Sequence, residues 1–366
     1  MKYLVLVIAA TALLTACSTK NDGSGENLPP ATGITGDMYL IMDSTQWKGP
    51  LGGVLDSVFR AEMRGLPREE SIFRMHWIDP RKLNFVLKQR RNLVFAVSFD
   101  QRTTGAAIVK KLFTPQAVER IKSDPNYFVQ TSPNVFAKGQ EVMYLFGATE
   151  AALINNVRAN ASRLVEFFNK TERDRLTKSL FKSGRLKGVS EWLQKNFQAD
   201  LQVPFGYKLV QNEKDFLWAR QINPKDDKDV FIARAKYESQ EQFKKENLIA
   251  FRDAVCKKYL YEDPDLPDSY LVTETSIPFI PVETREFNFN GIYAVEMRGL
   301  WRTNNKSMGG PFMSFALADE ATGMFYYIEG FTFSPSRDQR ELMRELETIL
   351  YTFKVSSQLP TAKKSS

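Results

Sequence analysis

One stretch of the sequence combines a lysine with several glycines in a setting that can bind an anion. It reads MDSTQWKGPLGG, residues 42–53, and it joins an apolar run to a helical pattern. Backbone N–H groups at the start of a helix attract phosphate and other anions. The candidate residues of this anion-binding turn are Lys48, Gly49, Gly52 and Gly53. A plain strand-to-helix turn is the alternative, because Pro50 has no N–H group and the ending typical of a P-loop is missing.

Six carboxylates in the C-terminal part of the chain are candidates for hydrolytic chemistry. They are Glu283, Glu286, Glu296, Asp319, Glu320 and Glu329. Glycoside hydrolysis needs two carboxyl groups about 5–10 Å apart, one on each side of the bond that is cleaved. The alternative is that these side chains form turns and the polar faces of strands, and Asp319 and Glu320 have the pattern of turn residues.

The chain has one histidine and two cysteines, which restricts its metal and nucleophile chemistry. A zinc site of the usual kind needs three or four Cys or His ligands, so we expect no metal site. A catalytic triad would have to use His76, and no Gly-x-Ser-x-Gly motif supplies a serine. We interpret His76 as a hydrogen-bonded strand residue and Cys256 as a buried helix residue. We therefore expect no catalytic residue and no cofactor.

The second cysteine, Cys17, lies where a short apolar segment ends. Lys2 is followed by an apolar run from Leu4 to Leu14, which is typical of a secretory signal peptide and too short to span a membrane. The stretch Leu14-Thr15-Ala16-Cys17 resembles the lipobox of bacterial lipoproteins. This resemblance implies cleavage before Cys17, followed by acylation of its thiol and its amine. Two or more acyl chains anchor a protein stably to a membrane.

The residues after Cys17 indicate where the protein is placed. Residues 17–36 are rich in Ser, Asn, Gly and Pro, and we interpret them as a flexible tether. The residue after Cys17 is Ser18, whereas enterobacterial lipoproteins that stay in the inner membrane have Asp at this position. We therefore expect a lipid anchor in the outer membrane, facing the periplasm or the cell surface. The expected partners are the membrane, through Cys17, and an unknown envelope protein or glycan. Nucleic acid is not expected, because no binding motif for it is present.

The patterning of apolar residues divides the chain into five segments. These are a signal peptide at 1–16, a tether at 17–36, an N-terminal half at 37–182, a C-terminal half at 183–355 and a disordered tail at 356–366. Strands and helices are interspersed without a strict βαβ rhythm, and the late strands form hairpins. We predict an α+β fold of two similarly built, sandwich-like halves, with long amphipathic helices on antiparallel or mixed sheets. An old duplication would explain the similarity without being proven by it.

Several individual elements can be predicted from local patterns. The apolar period predicts a helix from about Thr149 to Phe168 and a strand at 201–210. Thr114 and Pro115 have the residue types of an N-cap and a first helical position. The basic segment 170–187 is interpreted as a linker between the halves. It could contact lipid phosphates, or it could be the solvated face of a helix.

Several segments resemble an uncharacterised lipoprotein family of Bacteroidetes, catalogued as domain of unknown function 4837. These segments are YLIMDSTQW, KGPLGG, RNLVFAVSF, VPFGYKLV, DFLWAR and GPFMSFALADEATGMFYYIEGF. The resemblance covers roughly residues 36–355. It implies an envelope lipoprotein and says nothing about a reaction or about site residues.

We therefore expect a membrane-anchored envelope lipoprotein whose folded part is a non-catalytic binding or assembly module. The alternative is a hydrolase that acts on envelope polymers or glycans through carboxylates. Converging carboxylates in a deep cleft, or His76 hydrogen-bonded to an acid, would favour the hydrolase. A shallow apolar groove or an exposed sheet edge would favour the binding module. Exposed Trp47, Tyr326 or Tyr327 could form a sugar-binding platform, although aromatic residues at this density usually fill a core.

Overall fold

The computed structural model describes residues 28–261, 265–266 and 269–359. The predicted signal peptide, Cys17 and most of the predicted tether lie outside the described residues, as does the end of the predicted tail. The described residues form two halves that each combine helices with their own β-sheet. The predicted α+β class with two halves is therefore confirmed.

The N-terminal half contains a five-stranded mixed sheet. Its strands are β1 (Asp37–Ile41), β2 (Arg74–Ile78), β3 (Asn92–Ser98), β4 (Val129–Pro133) and β5 (Glu141–Gly147). Their spatial order is β2-β1-β3-β5-β4, and only β4 runs antiparallel to its neighbour. All residues of the central strands β1 and β3 are buried, because helices cover both faces of this sheet.

Seven α-helices accompany this sheet within the described part of the N-terminal half. They are α1 (Ser44–Trp47), α2 (Pro50–Phe59), α3 (Phe85–Lys88), α4 (Thr104–Lys110), α5 (Pro115–Ser123), α6 (Glu150–Ala159) and α7 (Ala161–Leu180). Apolar residues of α2, α6 and α7 pack on one face of the sheet. Those of α3, α4 and α5 pack on the opposite face. Thr114 caps α5 and Pro115 is its first residue, as predicted.

The C-terminal half contains an eight-stranded antiparallel sheet. Its strands are β6 (Lys208–Glu213), β7 (Phe216–Ile222), β8 (Asp227–Lys236), β9 (Leu271–Glu274), β10 (Glu283–Phe289), β11 (Ile292–Thr303), β12 (Gly309–Asp319) and β13 (Met324–Phe333). The order is β10-β11-β12-β13-β8-β7-β6, and β9 pairs with the free part of β11. The strand β6 forms one edge and exposes Leu209 and Val210.

Within the described residues, three α-helices cover the two faces of this second sheet. They are α8 (Lys187–Phe197), α9 (Lys245–Tyr259) and α10 (Arg340–Leu350). The helices α8 and α10 pack on one face, and α9 packs on the other. A Cβ on Gly330 would lie 2.8 Å from Cβ of Leu346, so glycine in β13 allows α10 to approach closely. Short 3-10 turns occur at Pro80–Lys82, Gln240–Phe243 and Ser356–Gln358.

The halves end alike but differ in strand direction. In each, the last strand leads into an amphipathic helix, namely β5 into α6 and β13 into α10, as predicted. Two predicted boundaries were wrong. The helix expected at 149–168 is broken at Asn160 and continues to Leu180, so most of the presumed linker is helical. The strand expected at 201–210 begins only at Lys208.

Polar contacts at the start of α10 join the halves. Glu70 of the N-terminal half accepts hydrogen bonds from the backbone N–H groups of Gln339 and Arg340, at 2.7 and 2.9 Å. This carboxylate thus satisfies two donors that a helix leaves unpaired at its N-terminus. One turn further, Arg344 donates to the backbone oxygen of Ile72 at 2.7 Å and to Oδ1 of Asn169 at 3.0 Å. The last α-helix of the described residues is therefore positioned by the first half.

Candidate functional site

The predicted anion-binding turn follows a short helix and leads into α2. Lys48 is exposed directly after α1, and Gly49 is the N-cap residue of α2. A Cβ on Gly52 would lie 1.9 Å from the backbone oxygen of Trp47, so this glycine serves close packing. Gly53 is exposed with open space beside it. The structure thus brings Lys48 and Gly49 together at the helix start, but it does not turn Gly52 and Gly53 toward a common ligand position.

A carboxylate of the chain itself lies beside this turn. Oε1 of Glu150 would be 3.8 Å from a Cβ on Gly49. Its Oε2 accepts a hydrogen bond of 2.9 Å from Nε2 of Gln46, which also donates to Oγ of Ser98 at 2.8 Å. An anion bound at the turn would have Glu150 as a neighbour of like charge, which is unfavourable. The local geometry therefore adds no support to the anion-binding hypothesis.

A cleft of about 540 Å³ opens between the two halves. One wall consists of α2, the loop that follows it and the start of α7. The other wall consists of β10, β11 and α10. Its lining mixes apolar and polar side chains, among them Val58, Met63, Val165, Ser162 and Asn169. This volume falls within the range of about 300–1,000 Å³ typical of small-molecule sites.

A buried carboxylate, Glu296 on β11, is surrounded by arginines at the base of this cleft. Arg298 lies two residues along the same strand, and its Nε is 3.0 Å from Oε1 of Glu296. Arg285 is the cross-strand partner of Glu296 on β10, and its Nη2 is 3.2 Å from Oε2. Arg64 reaches across from the N-terminal half and places Nη2 3.4 Å from Oε1. Three guanidinium groups therefore converge on one carboxylate.

These arginines determine the ionisation of Glu296. Burial alone would raise its pKa, but the charges of Arg298, Arg285 and Arg64 outweigh burial and lower the pKa to about 2. Burial likewise disfavours the charged form of Arg298, yet Glu296 and Glu347 raise the pKa of this guanidinium above its usual value. Glu296 carries no proton near neutral pH, so it cannot act there as a general acid.

A second carboxylate, Glu347 on α10, extends the network toward the N-terminal half. Its Oε1 lies 3.3 Å from Nη2 of Arg298 and 3.8 Å from Nη1 of Arg173. Arg173 donates to Oε1 of Glu166 at 3.1 Å and lies over the ring of Tyr351 at 3.7 Å. Burial raises the pKa of Tyr351 to about 12 despite the nearby Arg173. Cations and anions therefore alternate across the cleft, and both signs reach its partly exposed mouth.

The six predicted carboxylates do not converge. Glu296 lies in the cleft, and Glu283 is linked to it through Arg64 at 3.0 Å. Glu329 is fully buried on the opposite face of the C-terminal sheet. There, its two oxygens accept hydrogen bonds of 2.8 Å from Arg252 on α9. A pair of carboxylates divided by a sheet cannot flank one sugar ring.

The remaining three carboxylates lie in or near hairpins. Asp319 ends β12 and accepts hydrogen bonds from Ala321 and Thr322, so it is a turn residue of a hairpin, as its sequence pattern indicated. Glu320 is exposed in the same loop. Glu286 is exposed on the edge strand β10. Burial is the main cause that raises the pKa of the neighbouring Tyr293, and the charge of Glu286 is the next. These positions agree with the alternative stated from the sequence, that the carboxylates form turns and the polar faces of strands.

His76 lies on the edge strand β2 and is half-exposed. Its Nε2 is 3.7 Å from Oδ1 of Asp37, which is beyond hydrogen-bonding distance, whereas Nε of Arg74 is 3.0 Å from that oxygen. The imidazole stacks on Tyr39 at 4.9 Å instead. His76 is therefore a strand residue, as predicted, but the predicted hydrogen bond is replaced by stacking.

Cys256 and the two tyrosine candidates are core residues, and Trp47 packs against the core while partly buried. Cys256 is fully buried in α9, as predicted, and burial raises the pKa of its thiol, which keeps it protonated and unreactive. Tyr326 and Tyr327 are fully buried, and Trp47 stacks on Trp77 with ring centres 6.0 Å apart. The suggestion of an exposed sugar platform at these tyrosines was wrong, because both strand faces here are covered by helices.

The described part of the chain contains neither a cluster of metal ligands nor a membrane-spanning helix. Within residues 28–261, 265–266 and 269–359, no group of three or more His, Cys, Asp or Glu side chains could hold a metal ion. No α-helix in this part of the chain has both the length and the apolar character needed to cross a bilayer. Cys17 lies outside these residues, so its lipidation stays a prediction.

The fold and the cleft define an α+β protein of two units with a charged cleft where the units meet. Residues 187–352 match the family model of the Domain of unknown function (DUF4837). Residues 31–181 match the model of another Domain of unknown function (DUF8532). The resemblance to an uncharacterised family is confirmed for the C-terminal half, while the N-terminal half matches a different model. A search of curated proteins found no match to this chain.

Solved structures resemble the chain only weakly. The Saccharomyces cerevisiae Ran-binding protein Mog1p is 7% identical with a TM-score of 0.29, and the alignment covers 43% of this chain and 90% of that one. LpqN, involved in cell envelope biogenesis of Mycobacterium tuberculosis, is 12% identical with a TM-score of 0.27 and coverages of 43% and 82%. The lipid transfer and protein localization domain of human StarD13 is 9% identical with a TM-score of 0.20 and coverages of 46% and 95%. These values support no functional conclusion.

Proposed function

We propose that this protein is an outer-membrane lipoprotein, anchored through Cys17, whose folded part binds a polar envelope ligand in the cleft between its halves. It acts as a non-catalytic binding module facing the periplasm or the cell surface. The observation that supports binding over catalysis is the ion network around Glu296. Three arginines hold this carboxylate in its charged form, which suits a fixed recognition surface and not a proton donor.

The two criteria for a hydrolase are not met by the described residues. The six carboxylates do not converge in the cleft, and His76 is stacked rather than hydrogen-bonded to an acid. One criterion for a binding module is met, because the edge strand β6 exposes Leu209 and Val210. A hydrolase acting through these carboxylates is therefore the weaker candidate.

The cleft mouth indicates the charge of the ligand. Arg64 and Arg285 are partly exposed there, and so are Glu62 and Glu166. The two arginines would repel a strongly cationic ligand, and the two glutamates would repel a strongly anionic one. The cleft therefore suits a neutral or zwitterionic molecule with many hydrogen-bonding groups, which describes an envelope glycan or a peptide stretch.

Filling the cleft tests this site. Ser162 is exposed on the cleft wall at the start of α7, and Ser123 is exposed at the end of α5 outside the cleft. Thermal shift of the lipidated protein against purified envelope glycans and peptides should identify a ligand. Ser162→Trp should weaken its binding at least about tenfold, and Ser123→Trp should leave it unchanged. If wild type turned over a polymer and Glu296→Gln abolished the turnover, the binding-module proposal would be wrong.

The anchor is tested separately by labelling cells with a fatty-acid analogue. Cys17→Ala should abolish labelling and release the protein from the membrane fraction. Cys256→Ala is the matched control, because Cys256 is a buried core residue, and labelling should be unchanged. Continued labelling of the Cys17→Ala protein would refute lipidation at this residue.

A further inference from the structure

The chain has two basic segments, residues 170–187 and residues 79–140, and the second has the larger excess of positive charge. Residues 79–140 contain eleven Lys and Arg but only four Asp and Glu. This excess of seven equals the formal net charge of the entire chain, +7. The remainder of the chain is therefore neutral overall, and a mild average charge conceals a strongly basic region.

The helices of this segment lie in one layer of the fold. Ala106 and Val109 of α4 and Ile121 of α5 belong to the same apolar cluster, and Leu87 of α3 packs against it. The helix α4 also contacts the 3-10 turn Pro80–Lys82, which directly precedes α3. These helices therefore cover one face of the N-terminal sheet, and their outward sides form a common surface.

Large apolar side chains are exposed on this surface. Phe85 and Val86 of α3 are 72% and 58% exposed, and Leu112, just after α4, is 47% exposed. Ile108 of α4 is also exposed. We call this surface the basic face and define it by Lys82, Phe85, Val86, Ile108, Lys111 and Leu112. Exposed apolar groups among basic ones are typical of surfaces that rest on a membrane.

The acidic residues of the segment do not neutralise the basic face. Three of the four acids pair with basic residues of the same segment, namely Asp79 with Arg81, Glu119 with Lys122 and Asp124 with Arg120. Lys82, Arg102, Lys111 and Lys138 pair with no carboxylate among the residues that the structure describes. These four cations remain available to anionic groups outside the protein.

The described chain begins beside the end of α3. The backbone N–H of Thr32 donates to the oxygen of Gln89 at 2.8 Å, just after α3. The N–H of Ala31 donates to the oxygen of Lys138 at 2.9 Å. Thirteen residues, 18–30, separate Cys17 from Ala31, and an extended chain of that length spans at most about 50 Å. A lipid at Cys17 would thus hold this end of the protein within that distance of the membrane.

We propose that the basic face lies against the membrane, with its lysines and arginines on anionic phospholipid headgroups and Phe85 and Val86 at the interface. This inference rests on the proposed anchor, since it states how the anchored protein is oriented. Each basic side chain near an anionic membrane adds attraction, and the apolar side chains add binding that salt does not screen. With this face on the membrane, the cleft stays accessible to a ligand, because its walls belong to other elements of the fold.

Vesicle flotation of the mature chain carrying Cys17→Ala tests the surface without the lipid. The protein should float with vesicles of phosphatidylcholine and phosphatidylglycerol, less so at high salt, and not with phosphatidylcholine alone. Lys82→Glu with Lys111→Glu should weaken this binding at least about tenfold, and Phe85→Ser with Val86→Ser should also weaken it. Lys195→Glu with Lys245→Glu, two exposed lysines of the C-terminal half, should have no comparable effect.

Several results would overturn this orientation. Absence of flotation, equal flotation on both kinds of vesicle, or equal weakening by the control pair would each do so. Dimers in ultracentrifugation that dissociate when Phe85 and Val86 are replaced would show that a second copy covers this surface instead. The assay involves neither acylation nor the cleft ligand, so its failure is distinct from a failure of fatty-acid labelling or of ligand binding.

Discussion

At the scale of single residues, Glu296 couples the cleft to pH. Its pKa is about 2 in the folded protein and about 4.3 in an unfolded chain. A depressed acid pKa stabilises the fold above the unfolded value, and this stabilisation is lost as pH falls from about 4.3 to 2.

Glu296→Gln should therefore lower the free energy of unfolding at pH 7 by about 3 kcal/mol. The difference from wild type should shrink toward pH 2, because Glu296 is then protonated and resembles Gln. Urea denaturation at several pH values measures this difference. A difference that stayed constant between pH 5 and pH 2 would argue against the arginines as its cause.

Asp229 on β8 shows the opposite behaviour. Its Oδ1 accepts a hydrogen bond from Nε1 of Trp218 at 2.8 Å and lies 3.3 Å from Nε of Arg220. Burial outweighs Arg220 and raises its pKa to about 7. A raised acid pKa means that the folded state binds the proton more tightly, so stability falls as pH rises from about 4 to 7.

Asp229→Asn should be more stable than wild type at pH 8, by about 4 kcal/mol, because the amide oxygen can still accept from Trp218 without burying a charge. The difference should vanish near pH 4, where Asp229 is protonated. Thermal unfolding at the two pH values checks this. A less stable variant at pH 8 would mean that pairing with Arg220 outweighs burial.

At the scale of elements, α10 depends on a cap from another part of the chain. The helix has no side-chain cap of its own, and Glu70 accepts hydrogen bonds from its first N–H groups. Glu70→Ala should lower the free energy of unfolding by about 1–2 kcal/mol. Its exposed neighbour gives the control, since Glu69→Ala should change stability by less than about 0.5 kcal/mol. Equal effects of both changes in chemical denaturation would contradict the capping role.

Local patterns predicted elements well where burial follows the apolar period. The C-terminal hairpins and the helical pattern at 149–168 were found in this way, and Leu153, Val157, Leu164 and Phe168 of that pattern are buried. The end of α7 was mistaken for a linker, because its charges look solvated in sequence. In the structure, Glu172 is fully buried and accepts hydrogen bonds from Asn92 at 2.7 Å and from Arg175 at 2.6 Å. A buried ion pair adds no apolar residue to the sequence pattern, so its burial cannot be recognised from that pattern.

The candidate site was predictable only in part, for a related reason. Glu296 was named among the carboxylates, and its spacing from Arg298 on a strand was a usable signal. Arg285 could have followed from the hairpin register. Arg64 and Glu347 come from elements remote in sequence, and no local pattern shows that they meet. The cleft itself exists only through the packing of the two halves.

At the scale of the whole molecule, the polar contacts around α10 should make the halves unfold together. Wild type should show one calorimetric transition. Glu70→Ala combined with Arg344→Ala removes the helix cap and the contacts to Ile72 and Asn169, and should produce two resolved transitions. Glu69→Ala combined with Lys195→Ala should keep one transition. A single transition in the first variant, merely at lower temperature, would show that coupling lies elsewhere.

The cap that Glu70 provides for α10 also has a consequence for the folding pathway. It joins residues 269 and 270 positions apart, so forming it closes a loop that contains most of the described chain. Contacts of such sequence separation form late, since their loop-closure entropy is offset only when the intervening parts are already folded. The N-terminal half can therefore fold first and present a preformed acceptor to the last helix. Docking of α10 then becomes the closing event of folding, and the cleft is completed in the same step.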